Sequence, residues 1–327
     1  MSKVNLFWPV YKNLEKEVIK LTDCIHFTDD QLDVYSMNIA DLIIRCAIEI
    51  ESLSKVLYCE LGGDISDPHG KARDLYFDTD CIELLENKWK ICKKQVMVSA
   101  VNFYFEIEAN KILLPLHKAN RRGTSGSKWK QAYQAIKHDR INSLKWANIG
   151  ILLHSLAGLF ILNLYYKDEI IDLGRVYMSD HSFDNRAGSE IFSVFCYKAT
   201  GLHMSPYMDD RCIVSMPDND LDKSVYIIKY DDISFRNMHE NYLIDTKNTY
   251  FNFNNSVEIA NFLEEHPEYN GKDFTEICLA SGGIDLLTKI VSSGPALNKK
   301  DTRTEAILNK HNGIYPFVYP KVNQEET

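Results

Sequence analysis

Lys137, His138 and Arg140 lie within four positions of one another, and together they supply the residue types that metal-independent RNA cleavage needs. An imidazole of ordinary pKa can take a 2′-hydroxyl proton or return one to a leaving group, while a lysine and an arginine hold the phosphate and offset the charge that builds on it. The same residues have a second reading, as cations placed at a helix end where backbone carbonyls and the helix dipole favour positive charge. Immediately upstream, Asn120 to Ser127 is a basic, glycine-containing loop, and Arg121, Arg122, Lys128 and Lys130 are the candidate contacts to a nucleic-acid backbone.

Several elements must position that string. Trp129, Tyr133, Ile136 and Arg140 are offset by four, seven and eleven residues, so a helix through this stretch packs one face inward and turns His138 to the other side. Asn142-Ser143 is expected to cap the next helix, which sets His138 to Arg140 at a helix end. Ile149 to Tyr166 is the most apolar segment of the chain. Its length would suit a membrane span, but His154 and Asn163 within it, and the lack of a flanking basic cluster, favour the central helix of a bundle. Further upstream, Ile39, Leu42, Ile43, Cys46, Ile50, Leu53 and Leu57 recur at three and four residues and predict a long helix ended by Gly62-Gly63. Arg45 and Glu49 border its apolar face one turn apart, as do Glu51 and Lys55. Leu6 to Thr22 is loosely helical, with Pro9 at an early turn. A second long helix is expected from about Cys81 to Lys118, with Trp89, Val96, Ala100, Phe103 and Ile107 inward and Pro115 ending it.

The character changes after Lys167. Ser189 to Ala199, Cys212 to Met216 and Ser224 to Tyr230 are short β-type runs separated by turn-rich stretches such as Pro217-Asp218-Asn219-Asp220. Helical patterns return at Val257 to Glu265 and at Phe274 to Val291, the latter broken at Gly282-Gly283. The tail after Pro295, with Lys299-Lys300, Pro316 and Pro320, is expected to be extended, on the surface or across the first domain. The predicted class is therefore α+β: an all-α helical bundle over residues 1–167, followed by a small mixed α+β domain over residues 168–327. A length of 327 residues suits two domains.

Charge divides along the same line. Residues 1–167 carry 22 Lys and Arg against 20 Asp and Glu, and residues 168–327 carry 15 against 26. An RNA contact thus belongs on the first half, and the acidic second half is the candidate for a protein partner, or simply keeps the chain soluble. The eight cysteines form no Cys-x-x-Cys pair and no zinc-ligand cluster. With no signal-peptide pattern at Met1 to Val10, they read as reduced thiols of a cytoplasmic protein with neither metal nor cofactor.

The long helix bearing Arg45, Glu49 and Glu51, the Trp129/Tyr133 pair, the Lys137-His138-Asp139-Arg140 string and the Asn148-containing final helix together resemble the HEPN-like all-α domains of bacteria, over roughly residues 30–167. The resemblance implies a helical bundle, commonly a homodimer, of the kind found in toxin–antitoxin and phage-defence systems, where many members are metal-independent ribonucleases. It would make His138 the acid/base, set Lys137 and Arg140 on phosphate, and have Glu49 with Arg45 orient them from the facing helix. The family's catalytic members carry an Arg, then four to six residues, then the His, whereas here His138 precedes Arg140. Arg175 to His181 has that spacing, but it lies past the bundle and at a frequency expected by chance.

Other motifs are weaker. Asp218-Asn219-Asp220-Leu221-Asp222 begins like a calcium loop but lacks its glycine and has Lys229 at the position of the closing glutamate, so it reads as a turn. Gly282-Gly283 has no phosphate-loop continuation. His154 reads as a hydrogen-bonded core histidine. The pairs Asp209-Asp210, Asp231-Asp232 and Glu264-Glu265 read as solvated turns and helix faces. The competing functional expectation is a non-enzymatic interaction protein, its bundle dimerising and its second domain binding a protein or small ligand, with Lys137 to Arg140 forming a structural ion-pair node with Glu49 or Glu51.

Overall fold

The computed structural model describes residues 6–66, 69–117, 127–175, 183–200, 218–291 and 302–311. It is α+β, as the sequence predicts, and divides into two compact units. The first comprises Met1–Asp172, His181–Lys229 and Glu305–Thr327, and the second Leu173–Asp180 and Tyr230–Thr304. The division therefore differs from one at residue 167, because β-strands beyond that point belong with the helices before it.

In chain order the first unit begins with helix α1 (Phe7–Leu21), strand β1 (Phe27–Thr28), helix α2 (Met37–Glu60), helix α3 (Ile82–Trp89), strands β2 (Val96–Val98) and β3 (Phe103–Tyr104), helix α4 (Glu108–Lys111) and strand β4 (Ile112–Leu113). Helices α5 (Lys128–His138), α6 (Arg140–Ser143) and α7 (Ile149–Lys167) follow. Strand β5 (Ile171–Arg175) leads on to β6 (Phe192–Val194), β7 (Cys196–Lys198), helix α8 (Asp218–Lys223) and strand β8 (Tyr226–Tyr230).

Helix α7 is the centre, packed by α1, α2 and α5. It is buried on every side, which is why its sequence shows no polar stripe. Its polar side chains turn back on its own carbonyls: Ser155 donates to Leu152 at 2.8 Å, Asn163 Nδ2 to Leu159 at 2.9 Å, and His154 Nδ1 lies 2.8 Å from the Gly150 carbonyl, while Asn163 Oδ1 is buried without a partner. By length and composition α7 could cross a bilayer, and most of it lies inside the unit. Asn148 caps it, accepting from the Ile151 N–H at 2.9 Å. Ser36 does the same for α2 through the Ile39 N–H at 3.2 Å.

The expected helix over Cys81 to Lys118 is corrected. It stops at Trp89, where Lys90 takes the left-handed conformation at φ 52°. The chain then turns to strands: Val96 and Val98 are buried and Met97 half-buried, the two-residue alternation of a sheet. Strand β2 pairs antiparallel with both β4 and β6, and β1 pairs parallel with β3. The first 167 residues are thus not all-α. The helical spacing of Val96 and Phe103 was fortuitous, since they sit in different sheets and Ile107 is exposed.

A buried carboxylate ties α1 to the segment before β6. Glu15 Oε1 accepts from Tyr11 Oη at 2.8 Å, Ser189 Oγ at 2.5 Å, and the N–H groups of Glu190 and Ile191 at 2.9 and 3.2 Å. Lys12 pairs with its other oxygen. Burial pushes this carboxyl up, but the hydrogen bonds from Lys12, Ser189 and Tyr11 outweigh it and hold the group below the usual carboxylate range.

Strands β7 and β8 run parallel. Asp218–Lys223, expected to be a turn, is the short helix α8. The second unit holds helices α9 (Asp232–Asn254), α10 (Val257–Glu265) and α11 (Phe274–Ile290), capped by Asp231, Ser256 and Asp273. Ile259, Ile277, Cys278, Leu286 and Ile290 form its core. The long α9 was not foreseen. Gly283, at φ 68°, breaks α11 where the paired glycines predicted. Strand β9 (Arg303–Leu308) then returns the chain to the first unit, and the sheet order is β5-β9-β8-β7. Val225 accepts from the Asn309 N–H at 2.8 Å and Lys229 pairs with Glu305 at 2.8 Å, so β9 runs antiparallel to β8. The part of the tail described is thus a strand with alternate residues buried. Lys299-Lys300, Pro316, Pro320, Asp209-Asp210 and the run Cys212 to Met216 lie outside the described residues.

Candidate functional site

Helix α5 is held by its N-terminal half. Trp129 is buried, donates through Nε1 to the Pro115 carbonyl at 2.8 Å, and meets Phe77 edge-on. Tyr133 and Ile136 complete the inward face, as the spacing predicted. Lys130 pairs with Glu51 on α2, its ammonium lying 5.6 Å from the Phe77 ring centroid and 5.3 Å from that of Tyr133. Burial draws this ammonium down to about 8, and the nearby charge of Lys137 adds to that. Lys130, expected to be a phosphate contact, is instead a packing residue.

At the other end Arg140 reaches Asp41 on α2, Nη1 to Oδ1 at 3.5 Å. Lys130 to Glu51 and Arg140 to Asp41 therefore set α5 and α6 antiparallel to α2. The helix break comes at Asp139, whose carboxylate accepts from the Asn142 N–H at 3.2 Å and its Nδ2 at 2.8 Å. Those bonds hold the carboxyl below its usual range. Asp139 thus caps α6 and Asn148 caps α7, rather than Asn142-Ser143; a carboxylate beside an extended backbone fits the capping geometry better than an amide inside the helix.

Lys137, His138 and Arg140 come together as exposed side chains at this junction. Lys137 lies 5.7 Å from the Tyr133 ring centroid. His138 is exposed, and among the described residues it takes no hydrogen bond or ion pair. Arg45 is exposed on α2, near Glu17 of α1, and Glu49 is half-buried. Burial raises the Glu49 carboxyl, with Arg45 pulling the other way. Neither contacts the α5 end: the cation that reaches α2 is Arg140, and its partner is Asp41 rather than Glu49 or Glu51. Lys128 is exposed but stands at the opposite end of α5, about 15 Å from His138 at the rise of a helix. Arg121, Arg122 and His181 lie outside the described residues, and Arg175 ends β5.

Two exposed aromatics escaped the sequence reading. Tyr35 (53% exposed) pairs with Asn148 as an isolated bridge, and Trp146 (45% exposed) precedes that asparagine by two residues. Ile141, 91% exposed, projects from α6 between Trp146 and Arg140 in sequence. An exposed tryptophan one turn from an exposed isoleucine in a polar stretch was the available signal. Chemically, the edge offers exposed cations, an imidazole and aromatic faces. Among the described residues no His, Cys, Asp or Glu cluster is arranged to hold a metal ion.

The molecule is thus a two-unit α+β protein with an exposed cationic, aromatic edge on its helical unit. Compared with protein-family models, curated proteins and solved structures, the chain matches none.

Proposed function

We propose that the chain is an RNA-binding protein whose first unit is HEPN-like, with the α5–α6 edge as the RNA contact and His138 as the proton-transfer group of a metal-independent cleavage. The observation that carries this reading is the joint exposure of Lys137, His138 and Arg140 at one helix junction, where Arg140 reaches Asp41 on α2. Cations there would hold phosphate, and Tyr35 and Trp146 offer faces on which unpaired bases stack. His138 would act on the 2′-hydroxyl or the leaving oxygen. Labelled RNA incubated with the protein in a chelator tests it. Binding should weaken steeply with salt, and His138→Ala should abolish cleavage while leaving binding and folding intact; a fully active variant removes His138 from the chemistry.

A second reading is favoured by Ile141, Trp146 and Ile48, apolar side chains of the first unit that are about half exposed or more. In it the first unit dimerises, its edge residues serve that interface, and the acidic remainder of the chain meets a protein partner. Sedimentation of wild type and Ile141→Asp distinguishes the two. A dimer that the substitution dissociates, with no RNA retention at low salt, supports the interaction protein.

A further inference from the structure

We infer that Lys94, His311 and Asp222 form a proton-operated latch, which fastens the end of strand β9 to helix α8 and to the turn after α3 and opens on acidification.

The three residues come from segments far apart in sequence and meet inside the first unit. Lys94 is fully buried. Its ammonium donates to the Asp222 backbone carbonyl at 3.2 Å and lies 3.3 Å from His311 Nε2. The same Nε2 stands 3.4 Å from Asp222 Oδ1, while Oδ2 of that carboxylate is taken by Lys93. Among the described residues no carboxylate lies within ion-pair distance of Lys94, so a buried amine rests on a carbonyl and an imidazole. That arrangement is stable only while His311 is neutral and accepts at Nε2.

The backbone around this contact is under strain. Lys90, Asp168 and His311 all adopt positive φ, at 52°, 49° and 54°, a left-handed conformation that is unfavourable for a non-glycine residue. They mark the C-terminus of α3, the C-terminus of α7 and the end of the β9 segment. The segment is pinned residue by residue. Tyr165 donates to the Asn309 carbonyl at 2.7 Å, Asn309 Nδ2 donates to the Leu221 and Ser224 carbonyls at 2.6 and 3.1 Å, and Lys310 pairs with Asp168 at 2.5 Å. His311 follows, its strained backbone held by the imidazole contact.

The groups facing His311 are Lys90, Lys93 and Lys94 from the turn after α3 and Asp222 from α8; Glu86 of α3 faces Lys94 and accepts from the Cys92 N–H at 2.8 Å. Cations outnumber carboxylates. Burial first, then Lys94, lowers the imidazole to about 4 against the opposing Asp222. Burial lowers the Lys94 amine to about 7, with Asp222 and Glu86 opposing. Both groups are depressed, so the closed state binds fewer protons than the open one and loses stability as pH falls. The Lys94 contribution is spent between 10.5 and about 7, and that of His311 runs from 6.5 down to about 4. In the second window one solvent proton adds to Nε2, the Lys94 hydrogen bond is lost, and two cations face each other across 3.3 Å. The imidazole leaves, and the strained φ relaxes.

Amide hydrogen exchange of Asn309 to His311 on the full chain, corrected for intrinsic rates, tests this. From neutrality to about pH 4, protection should fall at least about tenfold, whereas in His311→Gln, whose amide oxygen accepts from Lys94 without titrating, it should stay level. Independently, the His311 ring resonances should titrate well below the ordinary histidine range and return towards it in Lys94→Met. Level protection in the wild type, the same fall in His311→Gln, or an ordinary His311 titration in the wild type each overturns the latch. Should Lys94→Met not fold, the glutamine variant decides.

Discussion

Trp129 donates its indole N–H to the carbonyl of Pro115 at 2.8 Å, joining the first turn of α5 to the chain after β4. Proline lacks an N–H but keeps a carbonyl, and a buried one must be satisfied. Trp129→Phe keeps most of the apolar packing against Phe77 and leaves that carbonyl without its partner, at an expected cost of about 1–3 kcal/mol. Chemical denaturation measures it; an unchanged midpoint would show that the bond contributes nothing net.

Lys130 and Glu51 should respond unequally to removal. The ammonium is buried and the carboxylate 30% exposed. Lys130→Met leaves a carboxylate that water can reach and fills the space between Phe77 and Tyr133, so stability should change by less than about 1 kcal/mol. Glu51→Ala strands the buried ammonium and should cost about 1–3 kcal/mol. Equal losses in the two variants would contradict the asymmetry.

Glu15 should govern part of the acid limb. Its folded pKa is depressed, so the stability it contributes is present above the ordinary carboxylate value of 4.5 and is lost as pH falls through the folded value. Glu15→Gln should cost roughly 2–4 kcal/mol at neutral pH, because Lys12 loses its buried counter-charge. The difference from wild type should narrow below pH 4.5; a gap independent of pH would assign the cost to packing alone.

Gly188 should not accept a side chain. It sits at φ +84°, and a Cβ built there would lie 3.1 Å from the Trp8 ring. Gly188→Ala is expected to lower stability by about 1–3 kcal/mol, read as a fall in thermal midpoint with the Trp8 fluorescence altered.

Substitutions at the α5–α6 edge should leave stability alone. His138→Ala and Lys137→Ala remove exposed side chains and should shift the unfolding free energy by no more than about 0.5 kcal/mol. A large loss would show that these residues are structural, and an activity defect in them could then not be read as chemistry.

The faces of α2, α5 and α7 were legible because burial repeats with the helical period, and Trp129, Tyr133 and Ile136 announced theirs directly. Pairings across long separations were not. Strand β2 forms because β6, almost a hundred residues on, lies beside it, and nothing local in Val96-Met97-Val98 distinguishes that outcome from a helix. Nothing in the sequence marks Lys94, Lys130 or Glu15 as buried, since burial of an ion depends on a partner that spacing cannot reveal. At the candidate edge the helix end and the outward turn of His138 were readable, whereas the partner of Arg140 was not. Asp41 and Glu49 both flank α2, and only the antiparallel offset of α5 selects the first.

Strand β9 lies between β5 and β8, yet it is the last of the three to be made. About 70 residues separate the end of β8 from the start of β9, which at roughly 5–20 residues per second occupies the ribosome for several seconds. During that interval β8 carries an open edge, and the α9–α11 helices emerge whole before the sheet can close. A nascent chain of this protein therefore carries β8 without its β9 neighbour throughout the synthesis of α9–α11, the kind of open strand edge that invites pairing with another chain.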